Sequence, residues 1–476
     1  MFKFTQALLV FCISITSSAS LKADGLLGKQ LSGIENSILN ERIIHRQNEL
    51  INQSITKLQK KTKKTLNNKS LFTALPDGEV SSLILPVSNL AESLDIVDNA
   101  GNTLFRDVVV ENGWRAIEQQ WLVMSSPQEL KLLQQLAQDK VIELVKTKEF
   151  NALALTLVQF KVSASLDNAK QLASVLPVSL QKKLTRDYVY QAQVSTAQTP
   201  KTSLSNTKPK QVIRELSTST LNYAACLAPL SIGMVDTAIE DQHPVFKNKS
   251  LIRQSFVDNK LTPPKAHGTA VSALFISNSV ELPALLPNAK LYAAEVFYGQ
   301  SDFSQGANLF SLVAGLNWLL SQQVSVINLS LAGPDNAILA RVIKTALAQN
   351  IIIVAAVGNE GPHSPPLFPA AYEQVIGVTA IDKNNKLYRW ANRGDYVDFS
   401  ALGVSVKTAR LSGDFGYESG TSMAAPVVSA YAACAKQQAL QTNDHKVDYW
   451  HILSEQAIDL GEKGLDPLFG YGRIGL

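Results

Sequence analysis

Residues 351–362, IIIVAAVGNEGP, form an apolar run rich in β-branched side chains that stops at Gly358 and turns polar at Asn359. A short run apolar at every position reads as a strand buried on both faces, not as a half-buried alternating one. The same texture recurs outward from it, in LSIGMVD at 230–236, ALLPNAKLYAAEVF at 284–297, VSVINLSL at 324–331 and VIGVTAI at 375–381. Between these runs stand helical segments such as LFSLVAGLNWLLSQQ at 309–323 and AILARVIKTALAQN at 337–350. Apolar strands alternating with helices predict an α/β fold, a doubly wound and mostly parallel sheet covered on both faces.

Such sheets carry their sites at the carboxyl ends of the strands. Asp236 follows SIGMV, Asn328 to Ser330 follow VSVI, and Asn359 follows IIIVAAVG, so three polar sets fall at that edge. His267 opens HGTAV, and Ser422 lies in GTSMAAP at 420–426. A hydroxyl nucleophile needs an imidazole to take its proton and a buried carboxylate to hold the imidazole tautomer. Ser422, His267 and Asp236 are of the right types for those roles.

With these motifs in the order Asp236, His267, Asn359, Ser422, residues 229–476 resemble the subtilisin-like serine proteases, the subtilases. The resemblance rests on MVDTAI followed by His243-Pro244, HGTAV, INLSLAG, VAAVGNEGP, GTSMAAP and the closing GYGRI at 470–474. The chain order Asp, His, Ser is that of this family and not of chymotrypsin-like enzymes or α/β-hydrolases. The resemblance implies Ser422 as nucleophile, His267 as general base and then acid, Asp236 as orienting carboxylate, and Asn359 with the Ser422 backbone N–H as oxyanion donors. It also implies that Ser330, Leu331, Ala332 and Gly333 pair with an extended substrate backbone, a mode in which main-chain bonds hold any sequence and pockets choose side chains.

The chain departs from the family pattern at three places. Ala270 stands where many members have a second His, the 277–286 loop lacks the Asn- and Gly-rich segment that often holds calcium, and Ala401-Leu402-Gly403 replaces Ala-Pro-Gly. No calcium is expected at that loop, and no metal or other cofactor is expected for the reaction.

The front half has a separate logic. MFKFTQALLVFCISITSSAS reads as a signal peptide over 1–19, since its apolar run is well short of the roughly 20 residues a membrane span requires. Apolar residues at helical spacing from Leu27 to Leu58 predict an amphipathic helix. Residues 71–112 read as strand-rich about a turn at Asn99 to Asn102. Over 118–193 the pattern is strand, helix, strand, strand, helix, strand, a ferredoxin-like order, with Ser126 as a helix cap. Residues 194–222 are rich in Ser, Thr, Lys and Pro and read as a linker, leaving 223–476 as the peptidase-like domain. Subtilases are commonly made as zymogens with a ferredoxin-like propeptide, so the resemblance implies that 118–193 inhibits the site and assists folding, after a pro-region over 20–117.

Charge and cysteines fit that division. Residues 1–225 carry 26 Lys and Arg against 19 Asp and Glu, a net of +7, while Cys226 onward carries 18 against 21, a net of −3. The basic half lacks aromatics spaced for base stacking, so complementarity within one chain is expected and not nucleic-acid binding. Cys226 and Cys434 would meet an oxidising compartment, where they form a disulfide or remain two small buried residues. The expectation is a secreted or periplasmic endopeptidase acting on proteins or peptides, with its own propeptide as partner and no stable membrane span. The competing expectation is a non-catalytic peptide-binding protein on the same scaffold. An acid-active sedolisin relative would use carboxylates where this chain has His267 and Asn359.

Overall fold

The computed structural model describes residues 90–192, 230–301, 304–440 and 448–475. The expected signal peptide, amphipathic helix and 194–222 linker, and Cys226, lie outside the described residues. Among the described residues no helix is long and apolar enough to cross a membrane.

The front unit is an antiparallel sheet. A hairpin of β1 (Ser93–Val97) and β2 (Thr103–Val109) precedes β3 (Arg115–Ser125), β4 (Glu143–Phe150), β5 (Leu155–Lys161) and β6 (Leu184–Ala192). Helix α1 (Pro127–Gln138) follows β3, and α2 (Ala169–Val175) follows β5. Strands β4, β5, β3 and β6 lie in that spatial order, all antiparallel, which is the ferredoxin-like arrangement. Ser126 caps α1 in a capping box with Glu129, worth about 1 kcal/mol of helix stability. The sheet does not begin where the sequence pattern placed it, at 118. Strand β3 starts at Arg115 and β2 pairs with it, Asp107 opposite Ile117, so the hairpin belongs to the same sheet.

The second part is the doubly wound sheet. Strands β7 (Ser231–Asp236), β8 (Ser250–Ser255), β9 (Lys290–Glu295), β12 (Val326–Leu329), β14 (Ile352–Ala356), β15 (Ile376–Ile381) and β16 (Phe399–Leu402) pair in the order β16-β15-β14-β12-β7-β9-β8, every pair parallel. Ile352 and Val354 enter one core with helices α3 (Ala266–Ile276) and α6 (Thr421–Ala439). Ile353 and Ala355 enter the other, with α4 (Leu309–Ser321) and α5 (Ala337–Ala348). Side chains alternate faces and both faces are covered, which is why the run is apolar at every position.

Three of the short strands off this sheet lie toward the front unit. Strands β10 (Tyr298–Ser301) and β11 (Ser304–Asn308) form a hairpin, and β13 (Leu331–Ala332) continues from β12. The end of β6 lies between β11 and β13. Gln191 faces Gly306 on one side and Ala332 on the other, Tyr190 faces Ala307, and Ala192 faces Leu331, antiparallel throughout. Asp187 of β6, fully buried, accepts the Phe310 N–H at 3.2 Å at the start of α4 and a Gln159 side-chain N–H at 2.7 Å. Burial pushes its carboxyl up to about 7, against the pull of those donors.

Candidate active site

Asp236 is the last residue of β7 and only 1% exposed. Its Oδ1 accepts the Thr237 backbone N–H at 2.7 Å and lies 2.6 Å from Nδ1 of His267. An ionised carboxylate only accepts, so the shared proton belongs to Nδ1 and the neutral ring keeps its lone pair on Nε2.

His267 reaches this place because α3 starts close against the end of β7. A Cβ on Gly268 would stand 2.4 Å from the Thr237 carbonyl oxygen and 2.7 Å from that of Ala238. Only glycine allows that approach, and its N–H donates to Thr237 Oγ1 at 2.8 Å. Burial by itself lowers the pKa of His267, but the Asp236 charge and hydrogen bond, with the charge of Glu418, outweigh it and hold the imidazole above its usual value. Nε2 has no hydrogen-bond partner among the described residues, so a bond between it and the Ser422 hydroxyl is not formed in this structure.

Ser422 is the second residue of α6 and fully buried. It follows Gly420, whose φ of 149° turns the chain into the helix. Asn359, past the end of β14, is fixed from the same turn, since its Oδ1 accepts both the N–H and the hydroxyl of Thr421 at 3.1 Å. With Oδ1 so held, the donors are on the other end of the amide.

The four residues of the expected substrate strand lie beside this group. Ser330 donates to the Ser422 carbonyl at 3.4 Å and accepts from Asn328 Nδ2 at 2.9 Å, while Asn328 Oδ1 accepts from Ser429 Oγ at 3.0 Å. This buried relay ties α6 to β12 and β13. Leu331 and Ala332 pair with β6, and a Cβ on Gly333 would collide with the Tyr190 ring at 2.4 Å. The fully buried Tyr190 donates its hydroxyl to the Pro334 carbonyl at 3.1 Å. All eight residues expected from sequence therefore gather at the carboxyl edge of the sheet.

Sequence reasoning missed several neighbours. Strand β11, SQGAN, has no apolar alternation to announce a strand. Glu418, at the end of β18 (Phe415–Glu418), interacts with the His267 charge and pairs with Arg410 at 2.9 Å across a hairpin with β17 (Val406–Ala409). Thr408 of β17 donates to the Ala270 carbonyl at 2.6 Å, bracing α3. Thr421 and Asn328 stood inside quoted motifs with no role assigned to them, and Ser429 carried no signal beyond lying three residues past GTSMAAP. At Ala401-Leu402-Gly403 the glycine is retained where it matters, since a Cβ there would stand 2.8 Å from the Gly420 carbonyl, just before Ser422. Cys434, buried in α6, is disulfide-bonded, while the other two cysteines, Cys12 and Cys226, are outside the described residues.

The profile of the Subtilase family (Peptidase_S8) matches residues 229–472. Minor extracellular protease Epr of Bacillus subtilis (strain 168) is 33% identical over 212 residues, 44% of this chain and 32% of that protein. Subtilisin E of the same organism is 32% identical over 214 residues, 43% of this chain and 54% of its own length. The major intracellular serine protease of that strain is 26% identical over 239 residues, 48% of this chain and 74% of its own. The chain thus spans about a third to a half of the length of the first two. A family profile over half of the chain, and a doubly wound sheet carrying the Asp, His, Asn and Ser motifs at one edge, make this chain a member of the subtilase family.

Proposed function

We propose that this chain is a serine endopeptidase made as a zymogen, with Ser422 as nucleophile, His267 as general base and then acid, and Asp236 as the group that orients it. The observation that carries this reading is the position of β6, held as the middle strand between β11 and β13. Strand addition is how an extended peptide substrate would bind. Its register runs toward Ser422: Ala332 faces Gln191, Leu331 faces Ala192, and the next residue back along that rail, Ser330, is the one that reaches the Ser422 carbonyl. The front unit is thus bound as a substrate would be, which fits a pro-unit cut within the linker that follows it.

In the reaction, His267 Nε2 takes the Ser422 proton as the hydroxyl attacks the carbonyl carbon, and later returns it to the leaving amine. Contacts between such a base and nucleophile often tighten only in the reacting complex, which accounts for a buried Nε2 without that partner. Asn359 Nδ2 and the Ser422 backbone N–H stabilise the tetrahedral oxyanion. Asn359→Ala should lower kcat about 100- to 1000-fold with little change in KM, the size associated with the equivalent donor of subtilisin.

The pH profile follows from the sign of the His267 shift. The base must be neutral, and its pKa is raised, so kcat/KM should rise with pH through a limb lying above the ordinary imidazole value of about 6.5. Glu418→Gln removes one of the charges that raise it, so the limb should move to lower pH; an unmoved limb refutes that assignment. A maximum near pH ~4 would contradict the whole mechanism, because the imidazole would be protonated there.

Export is proposed from residues 1–19, because the related proteins include one named extracellular and one named intracellular, so family membership alone leaves location open. The deciding experiment is labelling of the purified chain with a fluorophosphonate after incubation at neutral pH. Labelling at Ser422 supports the peptidase, and its absence from a folded chain favours the non-catalytic binding protein.

A further inference from the structure

The βαββαβ unit has a core of its own, built from Trp121, Val123, Leu133, Val158, Phe160 and Leu172 among others. The β1–β2 hairpin takes no part in it. Its apolar side chains enter a separate cluster in which Ile96 is joined by Ile117 and Val189 of the front unit and by Tyr298 of β10, with Leu94, Phe105, Val257 and Leu261 packed against them. Pairing with β3 reaches only from Asp107 to Val109, and a two-stranded ribbon beyond it is marginal in water, so this packing fixes the rest of the hairpin.

Three kinds of contact hold it along its length. At the tip, the Asn99 N–H donates to the Lys260 carbonyl at 2.9 Å, and Thr262 Oγ1 donates to Asn99 Oδ1 at 2.7 Å. In the middle, Phe105 meets the Tyr298 ring edge to face at 5.2 Å. At the base, the fully buried Asp107 carboxylate receives Arg115 Nε at 2.7 Å from its own unit, and Tyr298 OH at 3.1 Å and Gln300 Nε2 from the other. A buried carboxylate stripped of such donors is left at high cost, so Asp107 specifies its partner as well as attracting it. Tyr298 and Gln300 also belong to the strand that leads into β11, one of the two rails on β6.

We propose that the surface formed by Val257, Leu261, Tyr298 and Gln300 is a docking surface for this acid-bearing hairpin, and that the hairpin is a second clasp keeping the pro-unit bound after the chain has been cut. The inference rests on the zymogen reading and extends it. The end of β6 is held at the cleft and the hairpin is held beside it, so cutting the linker frees neither. Appearance of activity is then limited by opening of the hairpin seam, not by cleavage.

The test uses the full chain with Phe105→Ala or Asp107→Ala, both of which leave every residue of the peptidase domain unchanged. Phe105 is only half-buried, so its truncation keeps the test sound if loss of Asp107 unfolds the front unit. Intact mass and hydrolysis of a chromogenic peptide are followed in the same samples at neutral pH. The expected result is cutting at the wild-type rate, with the interval between cutting and activity at least tenfold shorter. An unchanged interval overturns the proposal. A second readout is amide hydrogen exchange of the same variants in a Ser422→Ala chain, which needs no activity. Faster exchange in Leu184–Ala192 and Ser304–Asn308 supports the clasp, whereas faster exchange in the hairpin alone makes it an appendage and overturns it. A wild-type chain that neither cuts itself nor takes a fluorophosphonate would instead count against the peptidase reading, and the exchange result would still decide the clasp.

Discussion

Ser422→Ala should give a chain that folds as the wild type does, stays full length at neutral pH, takes no fluorophosphonate, and hydrolyses peptides about 10⁶-fold more slowly. That magnitude is the one associated with removing the nucleophile of subtilisin itself, where the oxyanion site and binding alone still supply some rate. The fold should survive because the change removes one hydroxyl in the first turn of a 19-residue helix, where alanine is the better helix former. The Ser330 contact should survive too, since it is made to the backbone carbonyl of residue 422 and not to its side chain. The measurement is intact mass of both proteins over time. A wild type that shortens to about 250 to 280 residues beside an unaltered mutant supports self-processing, with the new N-terminus locating the bond; a mutant that still shortens at the same rate would place the nucleophile elsewhere.

Asp236→Asn should cost about 10⁴-fold in kcat, by a different route. One oxygen, Oδ1, both accepts the Thr237 N–H at 2.7 Å and makes the 2.6 Å contact to His267 Nδ1, so an asparagine that presents its amide nitrogen there gives up the Thr237 bond and points an N–H at Nδ1. The ring responds by carrying its proton on Nε2, where the base needs its lone pair. Loss of the Asp236 charge also removes the main influence that raises the imidazole pKa, so the residual activity should show its acid limb at lower pH. Slow fluorophosphonate labelling should persist, because Ser422 and Asn359 remain in place. A variant within tenfold of wild type would mean that Asp236 serves only to hold the turn at Thr237.

Much of this was legible along the chain. Ile352 to Val357 announced a strand covered on both faces because their periodicity is local, and α1 announced its start because a cap and its Glu partner lie three residues apart. The identities of Asp236, His267, Asn359 and Ser422 were legible through their motifs, and Gly268 shows why one motif has its form: the second residue of His-Gly-Thr must lack a Cβ to approach the Thr237 carbonyl.

The sequence by itself therefore determined the layers, the caps and the residue types at the sheet edge, since each depends on neighbours within a turn or a strand. The tertiary structure alone decided which edges meet. Nothing in DYVYQA says that it will lie between SQGAN and LA, 115 to 141 residues further on. Nothing in LFRDVV says that Asp107 will find Tyr298 and Gln300 about 190 residues away. Backbone pairing is indifferent to side chain, and a buried carboxylate can be satisfied by any well-placed donor, so such choices are made by the shape of the whole fold and leave no mark in local sequence.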